Sequence, residues 1–107
     1  MTDTGYVQIV TATESREAGI RLGASATNMK LAASAQVSGP VLSMAWHLGE
    51  VVEAEEWKLT LKTTTDRTDD LISHVVTNHP WQNPEISVTP FTAGTEPYRE
   101  WLDRVTK

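Results

Sequence analysis

The residues best equipped for chemistry in this chain stand in one heptad, His79-Pro80-Trp81-Gln82-Asn83-Pro84-Glu85. Two prolines bracket an indole, and an imidazole and a carboxylate stand at the two ends. Imidazole is a ligand for Cu(II) and Zn(II), and Glu85 is the nearest carboxylate in sequence to His79. One donor makes no metal site, since about three more must converge at roughly 2.0–2.3 Å. The same ring at a helix end can instead cap the last carbonyls and complement the dipole. Spacing leaves both roles open. Trp81 and Trp101 can wall a cleft that Tyr98 joins, and for all three the alternative is core or interface packing. Lys62, followed by Thr63 and Thr64, is the sharpest candidate to contact an anionic effector. A salt bridge to Glu85 is its alternative.

Other candidates are plainer. His47 lies near a hairpin tip, where it can bind metal with a symmetry mate or serve at a surface or interface. His74 shares a helix face with Asp70 and Asn78, which reads as a solvated face with a modest ion pair. Met29 and Met44 fit apolar stripes and Met1 is terminal, so their thioethers are weak candidates for Cu(I). No Ser-His-Asp order, Gly-rich phosphate loop or His-x-x-x-His spacing occurs. A non-enzymatic role is expected.

The elements that must position these residues follow from periodicity. Tyr6 to Ala12 reads as a strand buried on at least one face. Thr13 or Ser15 can cap a helix whose stripe is Ala18, Leu22, Ala26 and Met29. Gly19 and Gly23 weaken that helix by about 1 kcal/mol each, so they mark either close packing or tolerance. Ser34 to Leu48 reads as a long strand with a bulge or kink at Gly39-Pro40, followed by a turn at Gly49-Glu50. Ala54 to Thr64 returns as its partner. A second helix, about 66–78, carries Thr68, Leu71, Ile72, Val75 and Val76 on its apolar face. Pro80 ends it near Asn78 or His79. Ile86, Val88 and Pro90 alternate with polar residues in a short strand. A last helix opens at Gly94-Thr95, with Tyr98, Trp101, Leu102 and Val105 as its stripe. The order βαββαβ plus a C-terminal helix is an α+β, ferredoxin-like arrangement in a single domain over 1–107.

The central hairpin is too long for its helices. Residues 34–48 extended would span about 50 Å, and a helix of about 16 residues covers only about 24 Å. Met44, Trp46, Leu48 and Trp57 are therefore expected in an exposed apolar patch that marks an interface. Oligomerisation by sheet extension through this hairpin is the expectation. The alternative is a strand broken at Gly39-Pro40 and folded back.

Composition narrows the partners. The 107 residues carry a net charge of −5 without a basic stripe, which argues against nucleic acid. The chain has no cysteine, which excludes disulfides and thiolate sites and fits a reducing cytoplasm. Met1 to Gly5 lacks the pattern of a signal peptide, and no apolar run approaches the roughly 18 residues of a membrane span. A soluble cytoplasmic protein with no membrane partner is expected.

Several motifs occur together in order. They are Leu31-Ala32-Ala33-Ser34, Gly39-Pro40 with Ser43, Gly49, Ala54-Glu55-Glu56-Trp57, Leu61-Lys62-Thr63-Thr64, the heptad, and Tyr98 with Trp101-Leu102. In this order the chain resembles the CutA family of divalent-cation-tolerance proteins, from Tyr6 to Thr106. The resemblance implies a cytosolic, PII-like homotrimer of ferredoxin-like subunits with a long central β-hairpin. It implies metal tolerance, mainly towards copper, through binding. No tightly bound cofactor is expected, and Cu(II) or another divalent cation is the candidate ion. It also implies a second reading, a signalling trimer that holds a small anionic effector between subunits near Lys62, Trp81, Glu85, Tyr98 and Trp101. Some family members carry a cysteine where this chain has Val10 and a histidine where it has Asn78. Of those proposed copper ligands His79 alone remains. The usual strand cysteine is Ser34, and Ala45-Trp46-His47 stands where Tyr-x-Trp is common.

Overall fold

The computed structural model describes residues 5–107. The readings made on Met1 to Thr4, namely a missing leader pattern and a thioether at Met1, lie outside the described residues.

Four strands, β1 (Tyr6–Thr13), β2 (Ser34–His47), β3 (Glu50–Thr64) and β4 (Ser87–Pro90), form one antiparallel sheet in the order β2-β3-β1-β4. Among the described residues three α-helices accompany them: α1 (Arg16–Asn28), α2 (Thr68–Asn78) and α3 (Glu96–Val105). This is the α+β, ferredoxin-like arrangement expected, with the extra helix at the C-terminal side.

Directly opposed residues share a face of a sheet, so the register sorts the side chains. Val7, Ile9, Leu59 and Leu61 face α1 and α2, and they form one buried core with Leu22, Ala26, Leu71 and Val75. Tyr6, Gln8, Lys58, Thr60 and Lys62 point to the other face by alternation.

Ser15 is the N-cap of α1, its Oγ accepting from the Ala18 N–H at 3.1 Å. Thr13, the other candidate, is buried and donates to the Ser15 carbonyl instead. Gly19 and Gly23 are close-packing residues. A Cβ on Gly23 would stand 3.0 Å from Leu59 Cδ1 and 3.1 Å from Ala35 Cβ. The second helix begins later than expected, because Thr65–Arg67 forms a 3-10 turn ahead of it. Its face is also narrower, since Val76 is exposed while Leu71 and Val75 are buried.

The hairpin pairs almost without interruption from Ser34 opposite Lys62 to His47 opposite Glu50. A register shift between Ser38 and Val41 marks the bulge at Gly39-Pro40, so the strand is not broken there. Gly39 is required at that point: its φ is +154°, and a Cβ would meet the Trp57 ring at 2.9 Å. β3 starts at Glu50, four residues before the expected Ala54, because the turn is tighter than read. Leu48 and Gly49 both have positive φ, +50° and +83°, as a two-residue turn that follows strand twist demands. The longest dimension of the chain is 45 Å, short of a straight 50 Å strand, as bulge and twist foreshorten the hairpin.

Candidate functional site

The heptad is fixed from its first residue. His79 ends α2 in an extended conformation and is buried. Its Nε2 lies 2.7 Å from the Ala12 carbonyl, and its Nδ1 lies 3.0 Å from the Trp81 backbone nitrogen. A carbonyl only accepts and a backbone N–H only donates. Nε2 therefore carries the proton, and the one lone pair on the ring is taken by Trp81. The indole of Trp81 also packs against the imidazole, with centroids 5.3 Å apart. As a metal ligand His79 does not fit in this arrangement, since ligation would require breaking the Trp81 contact. Among the described residues no group of three or more His, Asp or Glu could hold a metal ion.

The expected grouping of Lys62, Trp81 and Glu85 is not assembled within one chain. Glu85 pairs with Lys58 at 2.9 Å, and Lys62 donates to Gln36 Oε1 at 3.1 Å. Lys58 and Lys62 lie on the same face of β3, four positions apart, opposite Ala12 and Gln8. His79 clamps the turn to Ala12, which brings Glu85 to the lysine at that end. Lys58 was missed because its identity as partner depends on that clamp.

Tyr98 and Trp101 are not beside Trp81. They stack on each other at 5.8 Å, and Tyr98 stacks on Phe91, which approaches Tyr6. This aromatic run ties α3 to Tyr6 at the start of β1. Tyr6 donates its hydroxyl to Asp103 at 2.6 Å. That carboxylate, with burial adding, raises the phenol above its ordinary value. Leu102 is the fully buried residue of the expected stripe, and Tyr98, Trp101 and Val105 are half-buried.

His74 also differs from its reading. Its Nε2 lies 2.8 Å from Ser25 Oγ on α1, and Asn78 bonds its ring and carbonyl from the next turn. The expected partner, Asp70, stands 4.0 Å from Arg67 instead.

The outer arm of the hairpin carries the exposed apolar surface. Leu42, Met44, Trp46, Leu48 and Val51 are all more than half exposed, with Trp46 at 78% and Leu48 at 90%. Leu42, Met44, Trp46 and Val51 share one face by register. Trp57, expected among them, is half-buried because its ring edge packs on Gly39. The tip curls towards the heptad, so that Trp46 and His47 line a cavity of about 610 Å³ together with Trp81, Gln82 and Asn83.

Comparison with known proteins agrees with these motifs. The family described as CutA1 divalent ion tolerance protein matches residues 7–105. A relative from Oryza sativa, the chloroplastic protein CutA 1, is 36% identical over 92 residues, covering 86% of this chain and 52% of its own length. The divalent-cation tolerance protein CutA of Salmonella newport is 35% identical over 74 residues, covering 69% of this chain and 64% of its own length. The chain thus spans about half the length of the plant relative and under two thirds of the bacterial one. The crystal structure of CutA1 from Oryza sativa superposes with a TM-score of 0.93 at 32% identity, over 100% of this chain and 98% of that one.

Proposed function

We propose a function that starts from the chain's family: it belongs to the CutA1 divalent ion tolerance proteins, and it acts as a homotrimer in tolerance to divalent cations, copper first among them. The exposed outer arm of the hairpin carries this reading. Leu42, Met44, Trp46, Leu48 and Val51 place an apolar surface on an arm where, among the described residues, they stay more than half exposed. Surfaces of this kind mark interfaces, and identical copies related by closed symmetry are the commonest way to cover them.

Ion binding in this proposal draws donors from more than one copy. His79 has no lone pair to spare, and His47 and Glu50 oppose each other at the exposed hairpin tip as two donors where a site needs about four. A cytoplasmic setting belongs to the proposal and is supported by the absence of cysteine.

The test is growth of bacteria with and without this chain across a Cu(II) series, with a Met44→Lys variant alongside. Lysine at 44 faces Glu53 in the isolated hairpin, so the subunit keeps its fold, whereas a charge buried between copies is costly. Wild type is expected to raise the inhibitory Cu(II) concentration, and Met44→Lys to lose that gain. Identical growth curves with and without wild type would defeat the proposal.

A further inference from the structure

A second cavity, of about 340 Å³, stands at the end of the sheet away from the hairpin tip. β3 begins at the tip, with Glu50 opposite His47, and ends with Thr64 opposite Tyr6. Thr64 lines this cavity together with Asp66 and Arg67 from the 3-10 turn and with Asp103, Thr106 and Lys107 at the C-terminal side. None of the six belongs to the outer arm on which the proposed trimer rests. The lining is balanced in sign, two carboxylates against two cations, and Thr64 and Thr106 are buried. Arg67 is preorganised: its Nε donates to the Thr106 carbonyl at 2.7 Å, which fixes the plane of the guanidinium. Asp70 stands 4.0 Å from one of its outer nitrogens, too far to hold the fork in a close pair. One oxygen of Asp103 accepts from the Tyr6 hydroxyl at 2.6 Å, which orients that carboxylate. Asp66 is exposed and has no ion-pair partner among the described residues.

We propose that this cavity binds a free α-amino acid with a small polar side chain as its zwitterion, its carboxylate on the Arg67 guanidinium and its ammonium on the carboxylates of Asp66 and Asp103. A guanidinium fork matches a carboxylate through two parallel N–H···O bonds. An ammonium has three donors and no acceptor, which carboxylate oxygens answer. A ligand of one sign would leave the opposite charges of the lining unanswered, whereas a zwitterion meets both. No wholly apolar side chain lines the cavity, so nothing there selects a hydrophobic side chain on the ligand. The volume lies at the lower end of small-molecule sites, as a ligand of this size requires. All six residues come from one chain, so the site goes beyond the trimer reading and does not depend on it.

Equilibrium dialysis of the purified protein against L-serine tests it. Parallel arms use ethanolamine, which lacks the carboxylate, and glycerate, which carries a hydroxyl in place of the ammonium. Saturable binding of serine is expected, with both analogues about 10-fold weaker or worse. Arg67→Lys keeps the charge but loses the fork, and it should weaken serine about 10-fold. Asp66→Asn alters an exposed side chain with no ion pair to lose, so it keeps the fold, and it should weaken serine by a similar factor. Asp69→Asn, outside the lining, should bind as wild type, and an equal loss there would overturn the site. Met44→Lys should also bind as wild type, whatever its assembly state, so failure of the trimer and failure of this site are separately visible. Loss of serine binding in Met44→Lys would overturn a site built within one chain. No saturable binding at millimolar serine overturns the proposal, as does unchanged binding in both Arg67→Lys and Asp66→Asn. Either analogue binding as tightly as serine overturns the assignment to a zwitterion.

Discussion

His79 acts as a brace in this chain. It links the end of β1 to the turn that carries Trp81, across 67 positions of sequence. Replacing it with alanine leaves the Ala12 carbonyl and the Trp81 N–H without that partner. Two hydrogen bonds at about 1 kcal/mol each predict a loss of about 2 kcal/mol in His79→Ala. Urea unfolding should show it as a lower midpoint at unchanged slope, and an unmoved midpoint would mean that the turn holds without the ring. The helix end at His79 was legible because Pro80 cannot continue a helix. The ring's partners were not, because Ala12 offers only a backbone carbonyl and no side-chain type announces that contact. Tyr6 carries a pH prediction of its own. Its pKa is raised in the folded state, so the stability tied to its protonated hydroxyl is fully present below about pH 10, the unfolded value, and is lost as pH rises through the folded value. Thermal unfolding followed from pH 8 to 11 should show this alkaline loss, and Tyr6→Phe should flatten it. An equally steep loss in Tyr6→Phe would assign the effect elsewhere.

At the scale of elements, periodicity located the four strands and three helices of the described residues, although Met29 and Val76, read as part of the apolar stripes of α1 and α2, are exposed and β4 is exposed along its length. Boundaries failed where local geometry decides them. The Leu48-Gly49 turn extends β3 to Glu50, because a leucine at positive φ is not expected from its type. Gly19 and Gly23 could be read as packing or as tolerance, and the sheet below decides for packing. Gly23→Ala gains up to about 1 kcal/mol of helix propensity. It also forces a Cβ against Leu59 and against Ala35, which cannot yield without moving backbone. Overpacking at about 1–3 kcal/mol outweighs the gain, so the variant should be less stable by up to about 2 kcal/mol. Differential scanning calorimetry measures this, and a raised melting temperature would show that α1 can lift off the sheet at little cost.

At the scale of the whole molecule, the length of the hairpin was legible, and so was the mismatch with the helices meant to cover it. Its curvature was not: the bulge at Gly39 and the twist of β2 and β3 return the tip to the heptad, which no pattern of residue types encodes. Within one chain Lys62, Trp81 and Glu85 are not gathered, because Glu85 is held by Lys58 and Lys62 by Gln36, partners set by distances between elements. The outer arm remains the feature that an isolated chain cannot bury. Met44 is exposed opposite Glu53 in the single chain; if the proposed oligomer buries it against a second copy, Met44→Lys should dissociate that oligomer while leaving the far-ultraviolet circular dichroism unchanged. The central claim, that the arm joins three copies, is tested most directly by multi-angle light scattering of the wild-type protein at micromolar concentration. The account predicts a mass three times that of the 11.8 kDa chain, and a mass of one chain would contradict it.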